Sequence, residues 1–146
     1  MRNEAQIGAV LSEGRDATIA TVMADGGPHA TTVSYASEGP KLYFGCSSGS
    51  LKAANLARDD RVAVTVTLPY RDWAEIRGLS ARGRARRLTS EEDIGRVGLL
   101  FMGKFSEVAQ YITSGDAELA LFEVTFDAVG LLDYRQGFGH VEHLDA

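Results

Sequence analysis

Two short turns near the start of the chain constrain its fold more strongly than any other sequence feature. They connect three runs rich in β-forming residues, at residues 17–24, 29–37 and 41–46. The first turn, residues 25–28 (DGGP), carries the Asp-Gly pair typical of β-hairpins, and the second is residues 37–40 (SEGP). Connections this short join only antiparallel neighbours. The sequence therefore predicts a three-stranded antiparallel meander.

The rest of the chain alternates helix-like and strand-like segments. Periodicity and caps predict helices over residues 3–13 and 50–58, and from Thr89 or Ser90 to about residue 101. Further strands are predicted over residues 61–68, 72–88 and 118–133, the second of them bent or bulged at Gly78 and Gly83. Residues 104–112 fit a short helix or a loop, and residues 134–146 have too little periodicity to assign. Six strands in 146 residues, with no linker or repeat, predict a single domain built as a small barrel.

Charge and composition exclude several classes of protein. A net charge of −5 argues against general binding to nucleic acids or acidic membranes. No apolar run approaches the roughly 18 residues of a transmembrane helix, and residues 1–6 lead into no signal-peptide core. The single cysteine, Cys46, suits a reducing compartment. We therefore expect a cytoplasmic protein.

One segment departs from the acidic average. Residues 77–87 contain five arginines, and Arg82, Arg84 and Arg86 alternate, so that in a strand they share one face. That face is either solvated or a strip that contacts phosphate or a partner subunit. Binding of RNA is not expected, because no aromatic residues are interleaved with the arginines.

No familiar catalytic motif is present: the chain has no nucleophile elbow, no Walker A loop and no Rossmann glycine fingerprint. The spacing of His140 and His143 is not that of a zinc site, and no metal is expected.

Residues 47–56 (SSGSLKAANL) carry the strongest chemical signal. Ser50 is a good N-cap for a helix, and the stretch also brings hydroxyls, free backbone N–H groups and the Lys52 ammonium together. The residues alone allow either a plain helix start or a phosphate site.

The surrounding pattern resembles the pyridoxamine 5′-phosphate oxidase-like family. Residues 17–66 are similar to that family's flavin-binding half, with a D/H-G-x-P turn, an S-x-K-A-x-N-L helix start and the strand RVAVTV in the same order and spacing. Residues 74–93 are similar to the family's later strand and acidic helix, and residues 119–134 (LALFEVTFDAVGLLDY) are similar to its last strand.

The resemblance implies a mainly β (α+β) fold, a six-stranded antiparallel split β-barrel with short flanking helices, as one FMN-binding domain over residues 1–146. It also implies a homodimer that holds FMN, or the deazaflavin F420, at the subunit interface. Ser50, Leu51 and Lys52 fall on the phosphate positions, and Gly45 and Cys46 fall beside the phosphate and ribityl chain. The remaining implied contacts are Thr31, Thr32, Val33 and Ser34 along the ribityl chain and ring, and Arg77 and Gly78 from the other subunit.

Two departures from the family pattern concern charge. Leu51 and Thr31 stand where the true oxidases carry arginines, so two phosphate contacts are missing. The carboxy-terminal extension that binds pyridoxal phosphate in those enzymes is also absent, and vitamin B6 oxidation is not predicted.

The tail leaves two interpretations open. Gly137 and Gly139 permit a tight path that could bring Phe138 and His140 to a flavin, or the tail could simply dock on the barrel. The resemblance thus predicts an FMN-dependent oxidoreductase of a small-molecule substrate, with catalytic residues unknown. The alternatives are a non-catalytic protein that binds flavin, a protein that binds haem through His140 or His29, and an F420-dependent reductase.

Overall fold

The computed structural model describes residues 2–108 and 118–145 of the chain. Its strands are β1 (Asp16–Val22), β2 (Pro28–Glu38), β3 (Lys41–Ser47), β4 (Arg61–Thr67), β5 (Arg77–Arg87), β6 (Leu119–Asp133) and β7 (Val141–Asp145). Its helices are α1 (Arg2–Glu13), α2 (Leu51–Arg58) and α3 (Glu91–Lys104), and two short 3-10 turns cover Trp73–Glu75 and Tyr134–Gln136.

The strands form a closed antiparallel barrel. Their order is β3-β2-β1-β4-β5-β6, and β3 pairs with β6 to close the ring, while β7 adds to the outer edge of β6. The meander β1-β2-β3 has the predicted order and tight turns. The expected six-stranded split barrel with short flanking helices is therefore confirmed, and β7 is an additional strand.

Buried residues of the strands fill the barrel interior, and in several strands they alternate with exposed or partly exposed ones. In β4, for example, Val62, Val64 and Val66 are buried while their neighbours are exposed. Phe44 of β3 and Phe122 of β6 stack inside the barrel with ring centroids 5.3 Å apart. Two helices cap this interior: α1 buries Ile7 and Leu11 completely, and α2 contributes Ala53 and Leu56 to the same core. Fully burying a leucine or phenylalanine side chain contributes about 1.5–3 kcal/mol.

The predicted strand over residues 72–88 is too long at its start. The side chain of Asp72 accepts a hydrogen bond from the Ala74 N–H at 2.9 Å, which caps the 3-10 turn and delays β5 until Arg77. Only one of the two predicted irregularities is a bulge: the register shifts at Gly83. Gly78 lies in regular pairing and is required for packing instead, because a Cβ there would overlap the Val66 carbonyl.

The remaining boundaries differ by a few residues. Ser90 caps α3 as predicted, and the helix continues to Lys104 rather than ending near residue 101. Residues 105–108 form a turn, and the rest of the ambiguous 104–112 segment lies outside the described residues. The tail, which could not be assigned from its periodicity, forms a 3-10 turn and β7.

One opening interrupts the barrel wall. The pairing of β2 with β3 covers only residues 35–38 of β2 and ends at Tyr35 and Phe44. Beyond that point β3 continues against β6 as far as Ser47, whereas β2 follows β1 back to Pro28. The two strands therefore diverge and leave a gap in the wall.

Candidate functional site

A pocket of about 500 Å³ lies at the gap between β2 and β3. This gap pocket is lined by Thr32, Val33, Ser34, Gly45, Cys46, Lys52, Gly98, Phe101, Val108, Leu119 and Leu121. The first six are residues that the family resemblance assigns to a cofactor site, and they come from β2, β3 and α2. Its volume is within the range of small-molecule sites.

The backbone of β2 contributes unpaired groups to the gap pocket. The Tyr35 N–H donates to the Arg15 carbonyl on the β1 side at 3.1 Å. Because these groups alternate sides along an antiparallel strand, the N–H and C=O groups of Thr32 and Ser34 point away from β1. Within the described residues no strand pairs with this stretch of β2 on that side. These groups are available to a ligand.

The start of α2 is fixed next to the end of β3. Ser50 has extended backbone angles, its Oγ accepts a hydrogen bond from the Ala53 N–H at 3.2 Å, and its own N–H donates to the Ser47 carbonyl at 3.0 Å. Ser50 is therefore an N-cap, and its hydroxyl keeps a proton that it can donate to a ligand.

Lys52 is buried without a counter-charge. Its exposed fraction is 9%, and its Nζ lies 5.7 Å from the centroid of the Phe44 ring. In the part of the chain that the structure describes, no carboxylate forms an ion pair with it. Burial lowers the pKa of Lys52 below its ordinary value, since a desolvated ammonium is disfavoured. An unpaired buried cation that lines a pocket is suited to an anionic ligand.

Asn55 positions α2 and with it Lys52. Its side chain is 1% exposed, its Nδ2 donates to Thr21 Oγ1 of β1 at 3.0 Å, and its Oδ1 accepts from Arg58 Nη2 at 3.1 Å. Arg58 also donates to the Val22 carbonyl at 2.8 Å. These contacts hold α2 against the end of β1.

Replacing Asn55 with alanine is expected to lower the free energy of unfolding by about 1–3 kcal/mol, because Thr21 would lose its partner inside the core. Urea denaturation measures this loss. Ser12→Ala is the control, because it removes only an exposed hydrogen bond from the Ser12 hydroxyl to the Ala9 carbonyl and should change stability little. Equal effects of the two substitutions would contradict the anchoring role of Asn55.

Helix α3 covers the gap pocket from outside. Near its start, Arg96 Nη1 donates to Glu38 Oε1 at 2.6 Å and the guanidinium stacks over Tyr43 at 5.7 Å. At its end, the Lys104 Nζ lies 3.9 Å from the centroid of Tyr35. The helix is thus held over the β2–β3 hairpin at both ends, and Gly98 and Phe101 between them face the pocket.

Sequence reasoning missed these covering residues. Gly98, Phe101, Val108, Leu119 and Leu121 belong to segments far along the chain from the motif, and they reach it only through tertiary packing. The one available signal is the apolar face of the helix predicted from residue 89.

Three assigned residues, on β2 and at the start of α2, do not line the gap pocket: Thr31, the N-cap Ser50 and Leu51. Thr31 faces the barrel interior, and its Oγ1 is buried without a hydrogen-bond partner. Leu51 is 47% exposed. None of the three carries a charge, and Lys52 is the only cation among the described residues that line the pocket.

Three assigned residues lie elsewhere on the chain. Arg77 forms an ion pair with Glu13 at 3.1 Å, and Gly78 packs against β4. His140 precedes β7, and its N–H donates to the Gly137 carbonyl at 3.0 Å. Phe138 beside it is 77% exposed and contacts Trp73 with ring centroids 6.0 Å apart. The tail thus docks on the barrel through β7, and these assignments remain predictions.

The three alternating arginines of β5 share an exposed face, as the sequence indicates. Arg84 pairs with Asp60 at 2.5 Å and Arg86 with Glu123 at 3.2 Å. Among the described residues, no group of three or more His, Cys, Asp or Glu side chains is arranged to hold a metal ion. None of the helices in that part of the chain is long and apolar enough to span a membrane.

Comparison with solved structures finds the same fold in several bacterial proteins. A haem-binding protein from Mycobacterium smegmatis superimposes with a TM-score of 0.81 at 18% identity, over 97% of this chain and 57% of that protein, so this chain spans little more than half its length. A conserved hypothetical protein from Mycobacterium tuberculosis gives 0.79 at 25% identity, over 95% of this chain and 90% of the other. A haem storage protein from Vibrio cholerae gives 0.71 at 18% identity, over 91% and 95%.

No curated protein matches the sequence. A family model described as pyridoxamine 5′-phosphate oxidase matches residues 4–133, which include every element from α1 to β6 that carries the gap pocket. The chain therefore belongs to the pyridoxamine 5′-phosphate oxidase family.

Proposed function

We propose that the chain binds FMN in the gap pocket and acts as an FMN-dependent oxidoreductase on a small-molecule substrate. The observation that carries this proposal is Lys52, a buried cation that no described carboxylate pairs with, in a pocket that also offers unpaired backbone groups. The FMN phosphate would lie at Lys52 and the first turn of α2, where N–H groups and the helix dipole favour an anion.

The other pocket residues fit the rest of the cofactor. Unpaired N–H and C=O groups of Thr32 and Ser34 suit the hydroxyls of a ribityl chain. A Cβ at Gly45 would lie 3.2 Å from Leu121 and 3.3 Å from Leu119, so the absence of a side chain keeps that wall open. Phe101, Leu119 and Leu121 supply apolar surface for a ring.

When bound, FMN supplies a ring that accepts and returns a hydride. The chain's own contribution is to bind and orient the cofactor. Lys52 would hold its phosphate, β2 would fix the direction of its ribityl chain, and α3 would limit the access of water to the pocket. With one lysine and no arginine at the phosphate, we expect weaker binding than a site with two further guanidinium contacts, each worth about 1.5–3 kcal/mol.

Haem and F420 are the alternative ligands. Two of the structural neighbours are described as haem proteins, and haem needs an axial ligand such as histidine. No histidine is among the described residues that line the gap pocket, which favours flavin. Arginines are missing at positions 31 and 51, where the true oxidases bind the FMN phosphate. If FMN fails to bind for that reason, F420 becomes the favoured ligand.

The test is a visible spectrum of the purified protein followed by titration with FMN, haem and F420. We expect FMN to bind at micromolar concentration and the bound flavin to be reduced by a nicotinamide donor. Binding of haem with a Soret shift, without binding of FMN, would overturn the proposal. If FMN binds but is not reduced, the protein is a flavin-binding protein and the proposed oxidoreductase activity is wrong.

We also propose a homodimer with the gap pocket at its interface. Two rows of paired residues cross the outside of the barrel from β2 to β6, and all of them except Arg82 are small. One row is Ala30, Ala20, Ala63, Arg82 and Ala128, and the other is Thr32, Thr18, Thr65, Ser80 and Gly130. This small-residue face is largely exposed in the single chain and includes Thr32 of the gap pocket. Its small side chains and its continuity with the pocket support a second copy of the chain as its occupant.

Ala63→Arg is expected to convert the dimer to a monomer and to weaken FMN binding more than tenfold, because a long charged side chain would stand at the centre of the face beside Arg82. Light scattering and FMN titration measure the two effects. Ala9→Arg, at an exposed position on α1, is the matched control and should change neither. A variant that stays dimeric would place the interface elsewhere.

A further inference from the structure

The only cysteine of the chain, Cys46, lines the gap pocket together with the buried cation Lys52. Cys46 is partly exposed, follows Gly45 in β3 and lines the same pocket as Lys52. A thiol becomes a nucleophile as the thiolate, and a neighbouring ammonium stabilises that form. A Cys46 thiolate would in turn raise the pKa of Lys52, against the lowering caused by burial.

Lys52 also selects what reaches the thiol. It is nine-tenths buried, and no carboxylate in the described part of the chain neutralises it. A reagent that carries carboxylates therefore gains an ion pair inside the pocket, whereas a cationic reagent is repelled. The pocket volume of about 500 Å³ leaves room for a peptide-sized thiol.

We propose that Cys46 is a modification site that forms a reversible mixed disulfide with a low-molecular-weight thiol bearing carboxylates. The thiolate of Cys46 attacks one sulfur of the small disulfide, a new S–S bond forms, and the other half leaves as a thiolate. Lys52 pairs with a carboxylate of the retained half. Because the chain has no second cysteine, a free thiol from solution must reverse the reaction.

The adduct would occupy the same space as the ligand of the gap pocket. Modification and binding of an anionic ligand are then mutually exclusive. This consequence rests on the proposed function, whereas the modification itself does not.

The test compares two disulfides of opposite charge. The intact protein is treated with glutathione disulfide, which is anionic, or with cystamine, which is cationic, and the adduct is followed by mass spectrometry. The rate of adduct formation with each disulfide is divided by the rate at which the same disulfide reacts with a small free thiol. This normalisation removes the difference in intrinsic reactivity between the two disulfides. We expect glutathione disulfide to react about tenfold faster than cystamine by this measure, a difference of about 1.4 kcal/mol.

Substitutions at Cys46 and Lys52 separate the role of the thiol from the role of the ammonium. Cys46→Ser should give no adduct, Lys52→Gln should abolish the preference, and Lys52→Arg should keep it. Raised salt should reduce the preference in the unmutated protein, which tests the charge effect even if a variant does not fold. Equal normalised rates, a preference that survives Lys52→Gln, or no adduct at Cys46 would each overturn the proposal.

Addition of FMN distinguishes this proposal from the flavin assignment. If both hold, saturating FMN protects Cys46. If the charge preference is present but FMN gives no protection, the thiol site stands and the flavin site is elsewhere. If FMN binds and Cys46 does not react even in the free protein, the thiol proposal fails alone.

Discussion

Lys52→Met is expected to weaken FMN binding by about 1.5–3 kcal/mol, or roughly 10-fold to 150-fold, while riboflavin binding stays unchanged. Riboflavin lacks the phosphate, so only FMN can lose the contact with the Lys52 ammonium. Isothermal titration of both ligands into both proteins gives the four affinities. Their double difference isolates the phosphate–lysine interaction from any general change in the pocket.

The same substitution should not destabilise the ligand-free protein. Burial lowers the pKa of Lys52, so the unfolded chain binds this proton more tightly than the folded chain. The charged side chain therefore lowers the free energy of unfolding at neutral pH, and this cost is relieved as the pH rises from the folded pKa towards the higher unfolded pKa. Thermal unfolding should show Lys52→Met to be as stable as the unmutated protein or more stable.

Lys41→Met is the matched control. Lys41 is an exposed lysine on β3 that lies 3.6 Å from Glu123, and it does not line the gap pocket. Its removal should leave both flavin affinities unchanged. If Lys52→Met weakens FMN and riboflavin equally, the phosphate is not bound at Lys52.

Gly98→Phe is expected to abolish binding in the gap pocket. A Cβ at Gly98 meets no atom within 4 Å, and Gly98 lines the pocket, so a large side chain would fill the space without clashing with the protein. Glycine is also a poor helix former, which means that the replacement should not weaken α3. FMN fluorescence quenching measures the affinity, and circular dichroism checks the fold.

The neighbouring turn of α3 supplies the control. Gly95 is also free of contacts around its missing Cβ but does not line the gap pocket. Gly95→Phe should therefore bind FMN normally. Normal binding by Gly98→Phe would show that the ligand does not occupy the space beneath α3.

The predictable part of the fold is set by local chemistry. The DGGP turn fixes the β1–β2 hairpin, and Ser50 and Ser90 cap the helices that the sequence indicates. The 3-10 turn at Trp73–Glu75 lies inside a segment predicted as a strand, and β7 pairs with the part of β6 that β3 leaves free. That free edge depends on how distant strands pack, so the periodicity of residues 134–146 could not predict β7.

The candidate site likewise has a part that the sequence predicts and a part that it does not. Lys52 and Ser50 belong to a local motif, so their joint position at a helix start could be predicted. That Lys52 forms no ion pair with a carboxylate in the described residues could not be predicted, because it depends on which side chains pack around it. Gly98 and Phe101 reach the pocket only through the long-range contacts that Arg96 and Lys104 make with the meander.

The most direct test of the flavin site is a map of backbone amide NMR shifts on addition of FMN. The account predicts the largest changes at Thr32, Ser34, Gly45 and the first turn of α2, because these residues line the gap pocket or lie beside it. Changes confined to other surfaces, such as the Trp73–Phe138 cluster, or no changes at saturating FMN, would contradict it.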